Sequence, residues 1–96
     1  MRSTLAAAIG LASLAAALTA SAEPPAGAAA CSGCHPASAR VASPVARLAG
    51  RDRAEIVRAM QEFRAGTRTG TVMDRIARGF TDAEIQAIAA WYAEQR

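Results

Sequence analysis

Between residues 52 and 94 the apolar positions recur with a helical period. Ile56, Val57, Met60 and Phe63 fall on one face at spacings of three and four. Asp52, with Glu55 three residues on, resembles a capping box ahead of that stripe, and Gly66 closes it. A second stripe, Ile85, Ile88, Ala89 and Tyr92, follows the capping box of Thr81 and Glu84, which predicts a helix from about Asp82 to Glu94. Residues 66–71, Gly-Thr-Arg-Thr-Gly-Thr, read as a polar, flexible loop. Thr71 to Gly79 has room for one or two helical turns, with Thr71 as the cap and Asp74 three residues on. Further upstream, Glu23 to Ala30 reads as a short helix begun after Pro24-Pro25, carrying Cys31 and Cys34 on its last turn and stopped by Pro36. Residues 36–50 hold no sustained period, contain Pro44 and end in Leu48-Ala49-Gly50, so they read as a loop. No segment alternates with period two. The expected architecture is all-α, three to four short helices joined by long loops.

The first 22 residues stand outside this pattern. Arg2 supplies a positive start, Leu5 to Leu18 is an apolar run of Leu, Ala and Ile, and Ala20-Ser21-Ala22 offers the small-x-small cleavage pattern. They read as a signal peptide cleaved before Glu23, leaving one domain over 23–96 and an expected location in the periplasm. An uncleaved anchor is the weaker reading, because the run is barely long enough to span a bilayer and is dominated by alanine. Seventy-four residues bury little, and alanine supplies much of the 52% hydrophobic content. Domains of this size usually need a staple, and two cysteines exclude a dense disulfide framework. A large covalent cofactor would fill the missing volume.

Cys31-Ser32-Gly33-Cys34-His35 fits the C-x-x-C-H pattern of covalent haem attachment. Two thiols three positions apart share one side of a helical turn, so both can bond to one haem edge. His35 projects from the same turn toward the iron, and small residues at 32 and 33 let the backbone approach the porphyrin. Three other readings of this run are weaker. A thioredoxin-like redox pair needs a βαβ framework, and a structural zinc site needs four ligands where the mature chain offers two Cys and one His. A plain disulfide would leave His35 without a role.

The second axial ligand to a haem iron would have to come from few candidates. His35 is the only histidine, so ligation by two histidines within the chain is excluded. Met60 and Met73 are the methionines of the mature part, and Met60 shares an apolar helix face with Ile56 and Phe63, which suits a core residue. Met73 follows the Gly/Thr-rich loop and is the candidate axial ligand; its alternative role is a core contact for the next turn.

With these features the mature chain resembles a class I c-type cytochrome. The likeness rests on C-x-x-C-H, Leu48-Ala49-Gly50, Phe63-Arg64-x-Gly66, Met73 and the aromatic-bearing last helix. It implies a cytochrome c-like fold around one covalent haem c, with first and last helices crossing at Gly27 and Trp91-Tyr92. It also implies a proline carbonyl orienting the axial histidine, for which Pro44 is the candidate. Within the family, the run from Thr71 to Ile85 is most similar to the cytochrome subunit of flavocytochrome c sulfide dehydrogenase, and shares much with small c4- and c553-like cytochromes. The first likeness implies a flavoprotein dehydrogenase subunit as electron donor, and the others a free shuttle between respiratory or photosynthetic complexes. Either way the chain is an electron carrier and not an enzyme on its own. Two departures stand out: Pro36 replaces the glycine that often follows the histidine, and the first helix is short and mostly alanine. A haem-free thiol-disulfide protein is the alternative from another class.

Charge adds little to this picture. Removing Arg2 leaves ten arginines against eight acids, a net charge of +2. Arg40, Arg47, Arg51 and Arg53 form a local basic cluster suited to a solvated surface or to steering an acidic partner. No basic-aromatic platform for nucleic acid is present.

Overall fold

A computed structural model describes residues 23–96. The expected signal peptide and its cleavage point lie outside the described residues. Four helices follow one another: α1 (Ala28–Cys31), α2 (Arg53–Ala65), α3 (Met73–Ala77) and α4 (Asp82–Glu94). The described residues contain no strand, so the all-α expectation holds.

The two long helices begin and end where their sequence signals lie. Asp52 Oδ1 accepts from the Glu55 amide at 2.9 Å, capping α2. The reciprocal half of the expected capping box is missing, because the Glu55 carboxylate pairs with Arg51 at 3.1 Å instead. Gly66 ends α2 in the left-handed region at φ 79°, and the amides of Gly66 and Thr67 return to the carbonyls of Phe63 and Glu62 at 3.2 and 3.0 Å. At α4 both halves of the Thr81–Glu84 box are made. The core lies between these helices: Ile56 and Val57 of α2 are buried against Ile85 and Ala89 of α4, with Met60, Phe80 and Tyr92 packed around them.

The short helices depart from expectation for local reasons. α1 begins only at Ala28, because Gly27 sits at φ 86° and the chain first makes a turn from the Pro25 carbonyl to the Ala28 amide, 3.0 Å. α3 begins at Met73, with Val72 at the cap position and no side-chain cap. Thr71 does not cap it. One residue before the cap position, its hydroxyl is too early in the chain to serve the first-turn amides, and those of Arg75 and Ile76 bond to the Val72 carbonyl at 3.0 and 3.1 Å.

Arg64, at the end of α2, ties the α3–α4 corner down. Its guanidinium donates to the Phe80 carbonyl at 3.1 Å and pairs with Asp82. Phe80 is thereby held against α1. A Cβ on Gly27 would stand 2.6 Å from Phe80 Cε1 and 3.5 Å from Ile88 Cδ1. Gly27→Ala therefore combines a left-handed backbone penalty with a steric clash, and should cost about 2–4 kcal/mol in denaturant unfolding of the holoprotein. Unfolding at the wild-type midpoint would contradict the close approach at Gly27.

Candidate functional site

The Cys31–His35 turn is a continuation of α1. The amides of Cys34 and His35 both return to the Cys31 carbonyl, at 3.2 and 2.9 Å. The second bond is helical, from residue i to i−4, so both thiols and the imidazole leave one turn of backbone. Cys31 is half-buried and Cys34 exposed, and both are free thiols. Ser32 donates to the Ala29 carbonyl at 2.7 Å, which occupies the one hydroxyl of the motif.

His35 is fixed by the loop that follows it. Its Nδ1 lies 2.5 Å from the Ala46 carbonyl. A carbonyl only accepts, so Nδ1 carries the proton and the Nε2 lone pair is left free for a metal. The resemblance had pointed to Pro44 for this contact, and the structure assigns it to Ala46 instead. The chain bends at 44–45, with Ser43 Oγ accepting from the Val45 amide at 3.0 Å, and only after that bend does the backbone reach the ring. Arg47 holds the loop closed by donating from Nε to the Ala37 carbonyl, 3.0 Å. The loop then ends on α4, where the Gly50 amide donates to the Tyr92 carbonyl at 2.9 Å.

Where the resemblance implied a crossing at Gly27 and Trp91-Tyr92, α1 meets α4 through Ile88 and Tyr92, with Phe80 just ahead of α4 beside Gly27. Tyr92 donates its hydroxyl to the Ala28 carbonyl at 2.5 Å, three residues before Cys31. Trp91 instead borders, with Ala28, His35, Leu48 and Tyr92, an open cavity of about 320 Å³. Neither cysteine nor Met73 lines that cavity.

Met73 stands apart from this turn, half-buried at the start of α3. Met60 packs against the α2–α4 core. On α3 the neighbours of Met73 are left uncovered: Val72 is 51% and Ile76 42% exposed, and Val41 in the loop after His35 is 56% exposed. The two thiols on one turn and the free Nε2 of His35 are a donor set that fits a covalent haem.

The rival chemistries fit less well. Burial pushes the Cys31 thiol up from its ordinary value, outweighing the hydrogen bond with the Tyr92 side chain, whereas a redox-active pair needs a stabilised thiolate. Tyr92 is likewise raised, by burial first and then by the adjacent Cys31. Among the described residues no group of three or more His, Cys, Asp or Glu is placed to hold a metal ion, which disfavours structural zinc. The arginine cluster is partly accounted for by internal contacts. Beside the Arg47 and Arg51 contacts above, Arg53 donates to Gln86 at 3.1 Å, and Arg40 is exposed.

Comparisons with known proteins give the same class. No family model matches the chain. The chain is similar to c-type cytochromes, as its motifs imply. Over 62 residues, 65% of its length, it is 37% identical to the cytochrome subunit of sulfide dehydrogenase of Chlorobaculum tepidum, a stretch covering 56% of that relative. It is also 37% identical over 62 residues to cytochrome c-552 of Acidithiobacillus ferridurans, covering 27% of that protein. The matched stretch thus spans about half the length of one relative and about a quarter of the other.

Among the described residues, the Tyr92 hydroxyl is the one side-chain donor from α4 to a carbonyl of α1. Tyr92→Phe should lower the stability of the holoprotein by about 1 kcal/mol, read as a lower urea midpoint at an unchanged denaturant slope. An unchanged midpoint would show that water replaces the bond at no cost.

Proposed function

We propose that this chain is an exported mono-haem c-type cytochrome that carries one electron at a time. The observation that carries this reading is His35, on the same turn as Cys31 and Cys34, with Nδ1 engaged by Ala46 and Nε2 free. Cys31 and Cys34 would form the two thioethers, His35 one axial bond and Met73 the other. The bound haem supplies a one-electron iron couple. The protein holds the imidazole in one tautomer and orientation, which raises its strength as a ligand. Met73 would supply the second ligand, leaving no position for substrate, and its thioether would raise the reduction potential.

The working location is the periplasm, in keeping with the signal-like first 22 residues. Among the described residues no helix is long and apolar enough to cross a membrane. The partner we propose is a flavoprotein sulfide dehydrogenase subunit that delivers electrons to this haem, as the name of the C. tepidum relative suggests. Equal identity to a cytochrome c-552 supports a second reading, a free shuttle.

Two measurements test this reading. Replacing Met73 by Ala should lower the reduction potential and give the iron affinity for imidazole. An unchanged potential would remove Met73 from the iron. Purification from the native host at low salt should bring down a flavin-containing protein with the haem. A cytochrome recovered free of flavin would favour the shuttle.

A further inference from the structure

The loop that carries Met73 is fastened to α2 by a stack of contacts that the haem site itself does not require. Arg68 Nε pairs with Glu62 Oε2 at 2.7 Å, and the Arg68 guanidinium lies over the Phe63 ring, 5.5 Å from its centroid. The backbone follows the same path, with the Arg68 amide and the Thr67 hydroxyl both donating to the Glu62 carbonyl at 3.3 Å. The edge of the Phe63 ring then touches the loop. A Cβ on Gly70 would stand 2.9 Å from Phe63 Cε1 and 3.5 Å from the Met73 Cβ. Glu62, Arg68, Phe63, Gly70 and Met73 therefore form one contiguous series, from the exposed face of α2 to the start of α3.

We propose that Arg68 is a positioning residue for Met73: it latches residues 67–72 onto Phe63 and Glu62, and so sets how much of the time the iron keeps its Met73 bond. The inference rests on Met73 being the second axial ligand. The latch is weak by design of its parts. Arg68 and Glu62 side chains are 43% and 35% exposed, so their ion pair is screened by solvent, and a cation over an exposed ring adds a comparably small amount. A loop held this way opens often. The chain contains no lysine and no second histidine, so it offers no replacement amine or imidazole side chain when the loop opens. The vacated position is then available to small external ligands, and their apparent affinity reports how far the latch is closed.

The test is a visible-spectrum titration of the oxidised holoprotein with imidazole at low ionic strength. Arg68→Ala should tighten apparent imidazole binding by roughly fivefold relative to the wild type. Arg68→Lys retains a cation for both Phe63 and Glu62 and should recover much of the wild-type behaviour. Gly70→Ala, which drives a methyl group toward the Phe63 ring, should also tighten binding while the far-UV circular dichroism stays that of the wild type. Met73→Ala sets the upper limit, with the site permanently open. If Arg68→Ala binds imidazole as the wild type does while Met73→Ala binds it tightly, the latch is wrong and the ligand assignment stands. If Met73→Ala also binds as the wild type does, the axial role of Met73 fails, and the latch with it.

Discussion

Everything at the Cys31–His35 turn depends on how closely α1 approaches the corner between α3 and α4. Phe80 and Ile88 reach the backbone at Gly27 because no side chain stands there, and Tyr92 closes the contact from the other side by donating to the Ala28 carbonyl. Only three residues separate Gly27 from Cys31. The first helix is a single turn that could not persist alone, so its position is set by the helix it rests on. Arg64 secures that support, gripping the Phe80 carbonyl and Asp82 from α2. One joint therefore links α2, α4 and the cysteine-bearing turn.

The same economy shapes the rest of the domain. Its core cluster holds two residues from α2 and two from α4, with Met60, Phe80 and Tyr92 around them. Val41, Val72 and Ile76 remain exposed outside it. A domain of this size is marginal without added buried area. A covalent macrocycle would add the buried apolar area that such a domain lacks, and would then serve the fold as well as the chemistry. The loop from 36 to 50 is organised by backbone carbonyls: Ala37 takes Arg47, and Ala46 takes the His35 ring.

These arrangements explain what was legible in the sequence. The long helices were readable to the residue at α4, because Thr81 and Glu84 form a local box with a fixed spacing. The α2 cap was half readable. Glu55 had two partners within reach, the Asp52 amide and the Arg51 side chain, and took the second. The carbonyl that orients His35 was not readable, since any residue supplies a carbonyl and only the bend at 44–45 decides which one arrives. The placement of α3 was misread by one cap position for a related reason: Thr71 is a good cap by type, but the backbone starts the helix at Met73. The pairing of Arg68 with Glu62 and Phe63 depends on the left-handed turn at Gly66 folding the loop back over α2, a long step from any local pattern.

The claim at the centre of this account is that Cys31 and Cys34 hold one haem covalently, with His35 on its iron. The most direct measurement is a reduced-minus-oxidised visible spectrum of the protein, produced with a haem-attachment system, followed by denaturation and extraction with acidified acetone. The account predicts a low-spin c-type spectrum, with all of the haem remaining on the polypeptide after extraction and lost from it in Cys31→Ala/Cys34→Ala. A folded but colourless protein, or haem that leaves with the solvent, would contradict it.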